Sequence, residues 1–196
     1  VEPERIAAAI DEGITDLGEN RVQELCSKFD KLGKPCNWHL IGHLQTNKVK
    51  YIIDKVKLIH SVDSLELAQE IQKRAKKADR IVDILVQVNV AQEETKFGIE
   101  AGETGKLVKE ISTLPNIRVK GLMTIAPYAE KPEDVRYVFR KLKQIFDELA
   151  SIKTDNVQMQ YLSMGMSNDY EIAIEEGSNM VRIGTAIFGK RQYNNE

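Results

Sequence analysis

Residues 81–90 read IVDILVQVNV, and this is the strongest strand pattern in the chain because β-branched residues dominate it. A helical pattern precedes it, and Asp63 with Glu66 three residues later predicts the start of that helix. Its inner face carries small and apolar residues at helical spacing, namely Ala68, Ile71, Ala75 and Ala78. A second helical face follows the strand, formed by Leu107, Val108, Ile111 and Leu114. The centre of the chain is therefore a helix, a strand and a second helix in succession.

The same alternation extends outward to both ends of the chain. The pattern predicts six further strands, at residues 14–17, 38–41, 58–62, 117–125, 157–163 and 180–184. Helical faces separate them, including a short one formed by Val49, Ile52, Ile53 and Val56. The clearest amphipathic helix carries Val135, Val138, Phe139, Leu142, Ile145, Phe146 and Leu149. Strands that alternate with helices indicate a parallel sheet covered by helices.

Two architectures have this alternation, an open doubly wound sheet and a closed eight-stranded (β/α)₈ TIM-type barrel. An open sheet usually has a glycine-rich turn after its first strand, and the sequence has none there. The first element, after Pro3, is a helix, which implies a strand before it. We therefore predict an α/β barrel in a single domain, residues 1–196, whose first strand lies upstream of Val1.

Composition excludes several classes of function. A chain of 196 residues with 42% hydrophobic and 30% charged residues fits one globular domain. Its net charge of -2 gives no electrostatic footprint for nucleic acid. No apolar stretch approaches the roughly 20 residues of a membrane span, and no leader pattern opens the chain. Cys26 and Cys36 form neither a disulfide framework nor a metal motif, which favours a reducing cytoplasm, and the scattered His39, His43 and His60 predict no zinc site.

Two turns near the C-terminus are candidates for binding phosphate. In barrels, phosphate is commonly bound by the loops after strands seven and eight, and with an upstream first strand those loops begin at Ser163 and Gly184. The first loop contains Met164 and Ser167 and leads into a helix, and the second continues with Thr185. Backbone amides and hydroxyls in such turns cradle anions. The alternative is ordinary strand-to-helix turn chemistry.

Arg182 lies within the last predicted strand, between Val181 and Ile183. Branched apolar side chains fill a barrel interior, so an arginine there requires a partner. That partner is either a ligand or, in a purely structural role, a carboxylate on a neighbouring strand. Other polar residues also follow strands, among them Glu19, Asn20, His43, Gln45, Asn47 and Thr124, for which helix capping or turn formation is the alternative.

Five motifs together resemble a known family. They are GENRVQE at 18–24, WHLIGHLQTNK at 38–48, GLMTI at 121–125, LSMGMS at 162–167 and VRIGT at 181–185. In this order, over nearly the whole chain, they resemble the pyridoxal-phosphate homeostasis proteins, formerly called "proline synthetase co-transcribed" proteins. The resemblance implies a barrel like the N-terminal domain of alanine racemases.

The resemblance also implies the cofactor, pyridoxal 5'-phosphate, and its site. By matching residues, Ser163, Met164, Gly184 and Thr185 would hold the phosphate, and Ser167 is a further expected cofactor-binding residue. Arg182 would face the pyridine nitrogen, and Asn20 would lie near the ring. In that family a lysine at the end of the first strand forms a Schiff base with the cofactor, and we expect this lysine upstream of Val1. Neither Lys48 nor Lys96 is assumed to replace it.

Arginine beside the pyridine nitrogen disfavours ring protonation and leaves a weak electron sink. We therefore expect a cofactor carrier or buffer in vitamin B6 homeostasis, with no catalytic residues and no metal. A minor amino-acid racemase or lyase is the alternative, and a barrel enzyme for another phosphorylated metabolite is a third possibility. The expected partners are the cofactor and apo-enzymes that require it, without nucleic acid or membrane, and the expected state is a monomer or weak homodimer.

Overall fold

The computed structural model describes residues 1–32, 36–93, 96–152 and 154–189. Its strands are β1 Asp16–Glu19, β2 Asn37–Leu40, β3 Leu58–Val62, β4 Val82–Asn89, β5 Ile99–Glu100, β6 Ile117–Met123, β7 Val157–Met166 and β8 Met180–Arg182. Its α-helices are α1 Pro3–Asp11, α2 Val22–Leu32, α3 Leu65–Lys77, α4 Thr104–Ile111, α5 Arg136–Leu149, α6 Tyr170–Glu175 and α7 Thr185–Phe188. Short 3₁₀ helices cover Thr46–Tyr51, Ala101–Glu103 and Pro132–Val135. None of the helices within these ranges is long and apolar enough to cross a membrane.

The strands form one parallel sheet in the order β1-β2-β3-β4-β6-β7-β8, with the two-residue β5 paired to β4. Contacts across the interior show that this sheet curves into a barrel. The ring of His60 on β3 lies 3.0 Å from the hydroxyl of Ser163 on β7, from Nδ1 to Oγ. Among the described residues no strand joins β8 to β1, so the barrel has a seam there. The predicted first strand would complete a ring of eight at this seam.

Two apolar clusters stabilise the barrel. The larger one lies between the strands and the covering helices, and in it α5 buries Phe139, Leu142 and Ile145 as its amphipathic pattern predicts. The smaller one contains only strand residues, with Leu58, Leu85 and Met123 at its centre and Tyr161 and Met180 against it. Because five strands contribute to it and no helix does, the smaller cluster fills the inside of the barrel.

Three sequence expectations about local structure are wrong. Of the predicted helical face, only Val49 lies in a helix, the 3₁₀ helix Thr46–Tyr51, and Ile52, Ile53 and Val56 follow its end. The helix after β3 is capped by Ser64, whose hydroxyl accepts from the amide of Leu67 at 3.2 Å. The carboxylate of Asp63 is turned instead towards His43, at 4.0 Å. The first strand begins at Asp16, two residues later than predicted.

A glycine sets the close approach of two central strands. Gly121 on β6 has φ +146°, and a Cβ atom there would lie 1.8 Å from the carbonyl oxygen of Tyr161 on β7. The register of β6 against β7 shifts between Val119 and Gly121, as expected at an irregular pairing. The clash would be with backbone atoms of Tyr161, so rotation of a side chain cannot relieve it.

Replacing Gly121 with alanine is expected to lower the free energy of unfolding by at least about 2 kcal/mol, because the new methyl group clashes with backbone at a strained φ. Urea denaturation monitored by circular dichroism measures the change. Gly102→Ala is the matched control, because nothing lies within 4 Å of a Cβ there, and its change should stay within about 0.5 kcal/mol. Equal stability of the two variants would contradict the packing described.

Candidate functional site

A cavity of about 370 Å³ lies along the seam between β1 and β8. Four of the residues predicted from sequence line it, namely Asn20, Arg182, Gly184 and Thr185. Apolar side chains line it as well, among them Leu17, Ile41, Met166 and Ile183. The wall therefore combines an apolar surface suited to a flat ring with polar groups at the carboxyl ends of the strands.

Arg182 is buried at the wall of this cavity, with 8% of its surface exposed. Its guanidinium donates from Nη1 to the hydroxyl of Ser163 at 2.7 Å and from Nη2 to the carbonyl oxygen of Thr124 at 2.8 Å. Burial lowers the pKa of Arg182 to about 10, partly offset by the charge of Asp169, so the group remains a cation at neutral pH.

No carboxylate of the described residues forms an ion pair with Arg182, so a structural ion pair is not its role within those ranges. A buried cation held only by neutral oxygens is costly, because two weak dipoles replace its hydration shell. An electron-rich group in the cavity would offset that cost. The arrangement thus favours a ligand that presents a lone pair or a negative charge to Arg182.

Three residues that the sequence analysis did not assign to the site continue from Ser163 into the interior. Nδ1 of His60 lies 3.0 Å from the hydroxyl oxygen of Ser163, and Nε2 of His60 lies 2.9 Å from Nδ1 of His39. The Nε2 of His39 lies 3.0 Å from a carboxylate oxygen of Asp16. A signal for them exists in the sequence, since both histidines stand inside predicted apolar strands.

The two histidines are neutral at neutral pH. Burial lowers the pKa of His60 well below its usual value, and the charge of Arg182, like a proton on His39, lowers it further. Burial also lowers the pKa of His39, although the neighbouring Asp16 carboxylate offsets part of the effect. Burial raises the pKa of Asp16, but hydrogen bonds from Thr15, Asn37 and His39 outweigh it, and the net shift is downward.

The two predicted phosphate-binding turns are in contact. The amide of Gly184, just before α7, donates to the hydroxyl of Ser167, just after β7, at 3.4 Å. Asp169 accepts from the amide of Met166 at 2.6 Å and closes the first turn. A Cβ at Gly184 would meet nothing within 4 Å, and Thr185 is exposed beside it. The loops after β7 and β8 therefore present amide and hydroxyl donors at the same end of the cavity.

Two other predicted site residues, Ser163 and Met164, are fully buried. The hydroxyl of Ser163 is engaged by Arg182 and His60, and the side chain of Met164 belongs to the apolar core. Both residues stand on β7, which runs to Met166, so the prediction that the loop begins at Ser163 is wrong and the loop begins at Ser167. Their side chains support the site from behind the surface of the cavity.

Asn20 follows β1 and lines the cavity beside the loop after β2. A Cβ at Gly42 would lie 2.2 Å from the carbonyl oxygen of Asn20, so glycine allows the two loops to pack. The neighbouring Glu19 is buried and forms an ion pair with Lys28. That ion pair anchors β1 to α2 and holds Asn20 at the edge of the cavity.

The loop after β4 lies at the same end of the barrel. The ring of Phe97 stacks on His43 at 3.7 Å with an interplanar angle of 11°. The amino group of Lys96 donates to the carbonyl oxygen of Ala126 at 3.1 Å and pairs with Glu93 at 3.1 Å. Lys48 instead lies over the ring of Tyr51, with 5.8 Å from Nζ to the centroid. Lys48 and Lys96 are therefore engaged by other groups.

Comparison with known proteins agrees with this geometry. A sequence model for the family described as "Alanine racemase, N-terminal domain" matches residues 2–192. A pyridoxal phosphate homeostasis protein of Aquifex aeolicus is 53% identical over 194 residues, which cover 98% of this chain and 84% of that protein.

Solved structures give the same result. PipY of Synechococcus elongatus PCC7942, solved without PLP, matches with a TM-score of 0.89 and 32% identity over 95% of this chain and 87% of that chain. PipY with PLP bound matches with a TM-score of 0.84 and 30% identity over the same shares, 95% and 87%. The predicted barrel and the predicted family are both confirmed. The chain belongs to the family of pyridoxal phosphate homeostasis proteins, which has the fold of the alanine racemase N-terminal domain.

Proposed function

We propose that this protein binds pyridoxal 5'-phosphate in the seam cavity and carries or buffers it in cytoplasmic vitamin B6 homeostasis. The observation that carries the proposal is the buried guanidinium of Arg182 on the cavity wall, which pairs with no carboxylate of the described residues and lies close to two turns with polar donors. The relatives support it, since one is named for pyridoxal phosphate homeostasis and another was solved with PLP bound.

The donor set matches the two polar ends of the cofactor. Gly184 and Thr185, which line the cavity, would hold the phosphate with amide and hydroxyl donors, and Ser167 would contribute from beside Gly184, whose amide lies 3.4 Å from its hydroxyl. Arg182 would donate to the pyridine nitrogen, and Asn20 would lie beside the ring. Ser163 and Met164 would contribute from the buried strand behind them.

The hydrogen bonds of the titratable side chains at the cavity favour a cofactor carrier over an enzyme. The cofactor, when bound, supplies an aldehyde and a ring that accepts electrons when its nitrogen is protonated. The cation of Arg182 disfavours that proton. Apart from Arg182, the described titratable side chains at the cavity are Asp16, Glu19, His39 and His60, and each is already bound to another side chain. A racemase or lyase would need acid and base groups directed at a substrate.

Delivery of the cofactor to apo-enzymes belongs to the same proposal. The turns that would hold the phosphate include the exposed Gly184 and Thr185, so the phosphate end is near the surface. In this proposal the cofactor leaves from the exposed phosphate end, and its release does not require the barrel to open. We propose no nucleic-acid or membrane partner, and a monomer or weak homodimer as the working state.

Replacing Thr185 with valine is expected to weaken binding of pyridoxal 5'-phosphate about tenfold, the effect of losing one hydrogen bond to a charged group. Binding of pyridoxal, which lacks the phosphate, should stay within about twofold. Equilibrium dialysis with the two compounds and with inorganic phosphate measures the difference. Thr113→Val, remote from the cavity, is the control. No binding of pyridoxal 5'-phosphate by the unaltered protein would overturn the proposed function.

Replacing Arg182 with methionine is expected to weaken binding of pyridoxal 5'-phosphate at least about tenfold. The free energy of unfolding should change by less than about 1 kcal/mol, because removing a buried cation offsets the loss of its hydrogen bonds. Dialysis and urea denaturation give the two quantities. Arg140→Met, which removes an exposed, ion-paired arginine, should leave binding unchanged. A large loss of stability with full binding would show that Arg182 is purely structural.

A further inference from the structure

Hydrogen bonds along the wall of the cavity form one continuous chain. It runs from Arg182 through Ser163, His60 and His39 to Asp16, with donor–acceptor distances of 2.7, 3.0, 2.9 and 3.0 Å. These residues stand on β8, β7, β3, β2 and β1, so the chain crosses the barrel interior. Ser163 and His60 are 0% and 1% exposed, which leaves little access for water to replace either one.

The Asp16 carboxylate and the neutral state of the two histidines together set the direction of the hydrogen bonds in this chain. Arg182 can only donate, so the oxygen of Ser163 accepts from it and its hydroxyl proton remains available to Nδ1 of His60. The carboxylate of Asp16 can only accept, so His39 carries its proton on Nε2. The contact between the rings then requires a proton on Nε2 of His60, facing an unprotonated Nδ1 of His39. Each histidine carries one proton, on Nε2.

This direction has a consequence for the cavity. The unprotonated Nδ1 of His60 accepts a hydrogen bond from the hydroxyl of Ser163, and the lone pairs of that oxygen therefore face the guanidinium. With Nη1 and Nη2 held by Ser163 and by the carbonyl of Thr124, the guanidinium plane is fixed on the cavity wall. Without His60 the hydroxyl would be free to rotate, and one of the two anchors of Arg182 would weaken.

We propose that His60 is a positioning residue for the cofactor's pyridine nitrogen: acting through Ser163, it holds Arg182 as a correctly directed hydrogen-bond donor. The proposal rests on the proposed function, because it assigns the ligand atom that Arg182 meets. His39 and Asp16 act behind His60 by fixing its tautomer. His60 itself does not touch the cofactor nitrogen in this scheme.

The test compares pyridoxal 5'-phosphate with its deaza analogue, in which CH replaces the ring nitrogen. The unaltered protein should prefer the natural compound about tenfold, the effect of one hydrogen bond to a charged donor. His60→Leu should remove most of that preference while the deaza analogue binds as before. His60→Asn, whose side-chain oxygen sits near the position of Nδ1, should restore the preference to within about threefold.

Ser61→Ala is the matched control, because Ser61 is its buried neighbour on β3 and its hydroxyl has no partner among the described residues. It should leave both affinities unchanged. If His60→Leu weakens both compounds equally, or leaves the preference intact, the positioning role is wrong although the proposed function stands. If the unaltered protein binds neither compound, the proposed function itself fails.

A second measurement tests the chain of hydrogen bonds without any cofactor. Nitrogen-15 NMR of the histidine side chains should show His39 and His60 as neutral rings protonated on Nε2 at neutral pH. His60→Asn should remove the signals of His60 and His43→Asn those of His43, which leaves the remaining set assigned to His39. A proton on Nδ1 of His60 would reverse the direction of the chain and overturn the proposal.

Discussion

The two hydrogen bonds from the buried guanidinium of Arg182, to Ser163 and to the carbonyl of Thr124, are the constraint around which the polar interior of this barrel is arranged. A buried cation has lost its hydration shell. Without a carboxylate beside it, its N–H groups must donate to neutral oxygens, or the lost hydration is not replaced. Ser163 can serve as such an oxygen only if its own proton has an acceptor, and His60 supplies one. The identity of the residues on β3 and β2 follows from that requirement.

The charges along this chain are kept apart. Asp16 holds the negative end and Arg182 the positive end, with three neutral side chains between them. A direct ion pair would neutralise the guanidinium where it meets the cavity. Separation leaves the cation available to a ligand, and the network still satisfies every polar group that it contains. This arrangement costs more stability than an apolar interior would, as expected where a site is built into a core.

Apolar packing between the strands and the helices supplies the stability that offsets this cost. Most buried apolar residues lie between strands and helices, in a cluster that includes the inner faces of α3 and α5. Inside the barrel, Leu58, Leu85 and Met123 form a small apolar cluster apart from the polar chain. The backbone approach at Gly121 then sets the spacing of β6 and β7, the strands that bring Thr124 and Ser163 beneath Arg182.

The sequence by itself determined the alternation of strands and helices, the barrel, and the turn at Gly184, and its motifs carried the resemblance to the family. These features are local, because periodicity and turn chemistry act over a few neighbouring residues. Only the tertiary structure decided that Ser163 lies beneath Arg182, and that His60, His39 and Asp16 continue from it. His60 and Ser163 are 103 residues apart, and no local pattern records which strands meet across a closed interior. Closure of the barrel makes them neighbours, and the burial that results leaves both histidines neutral.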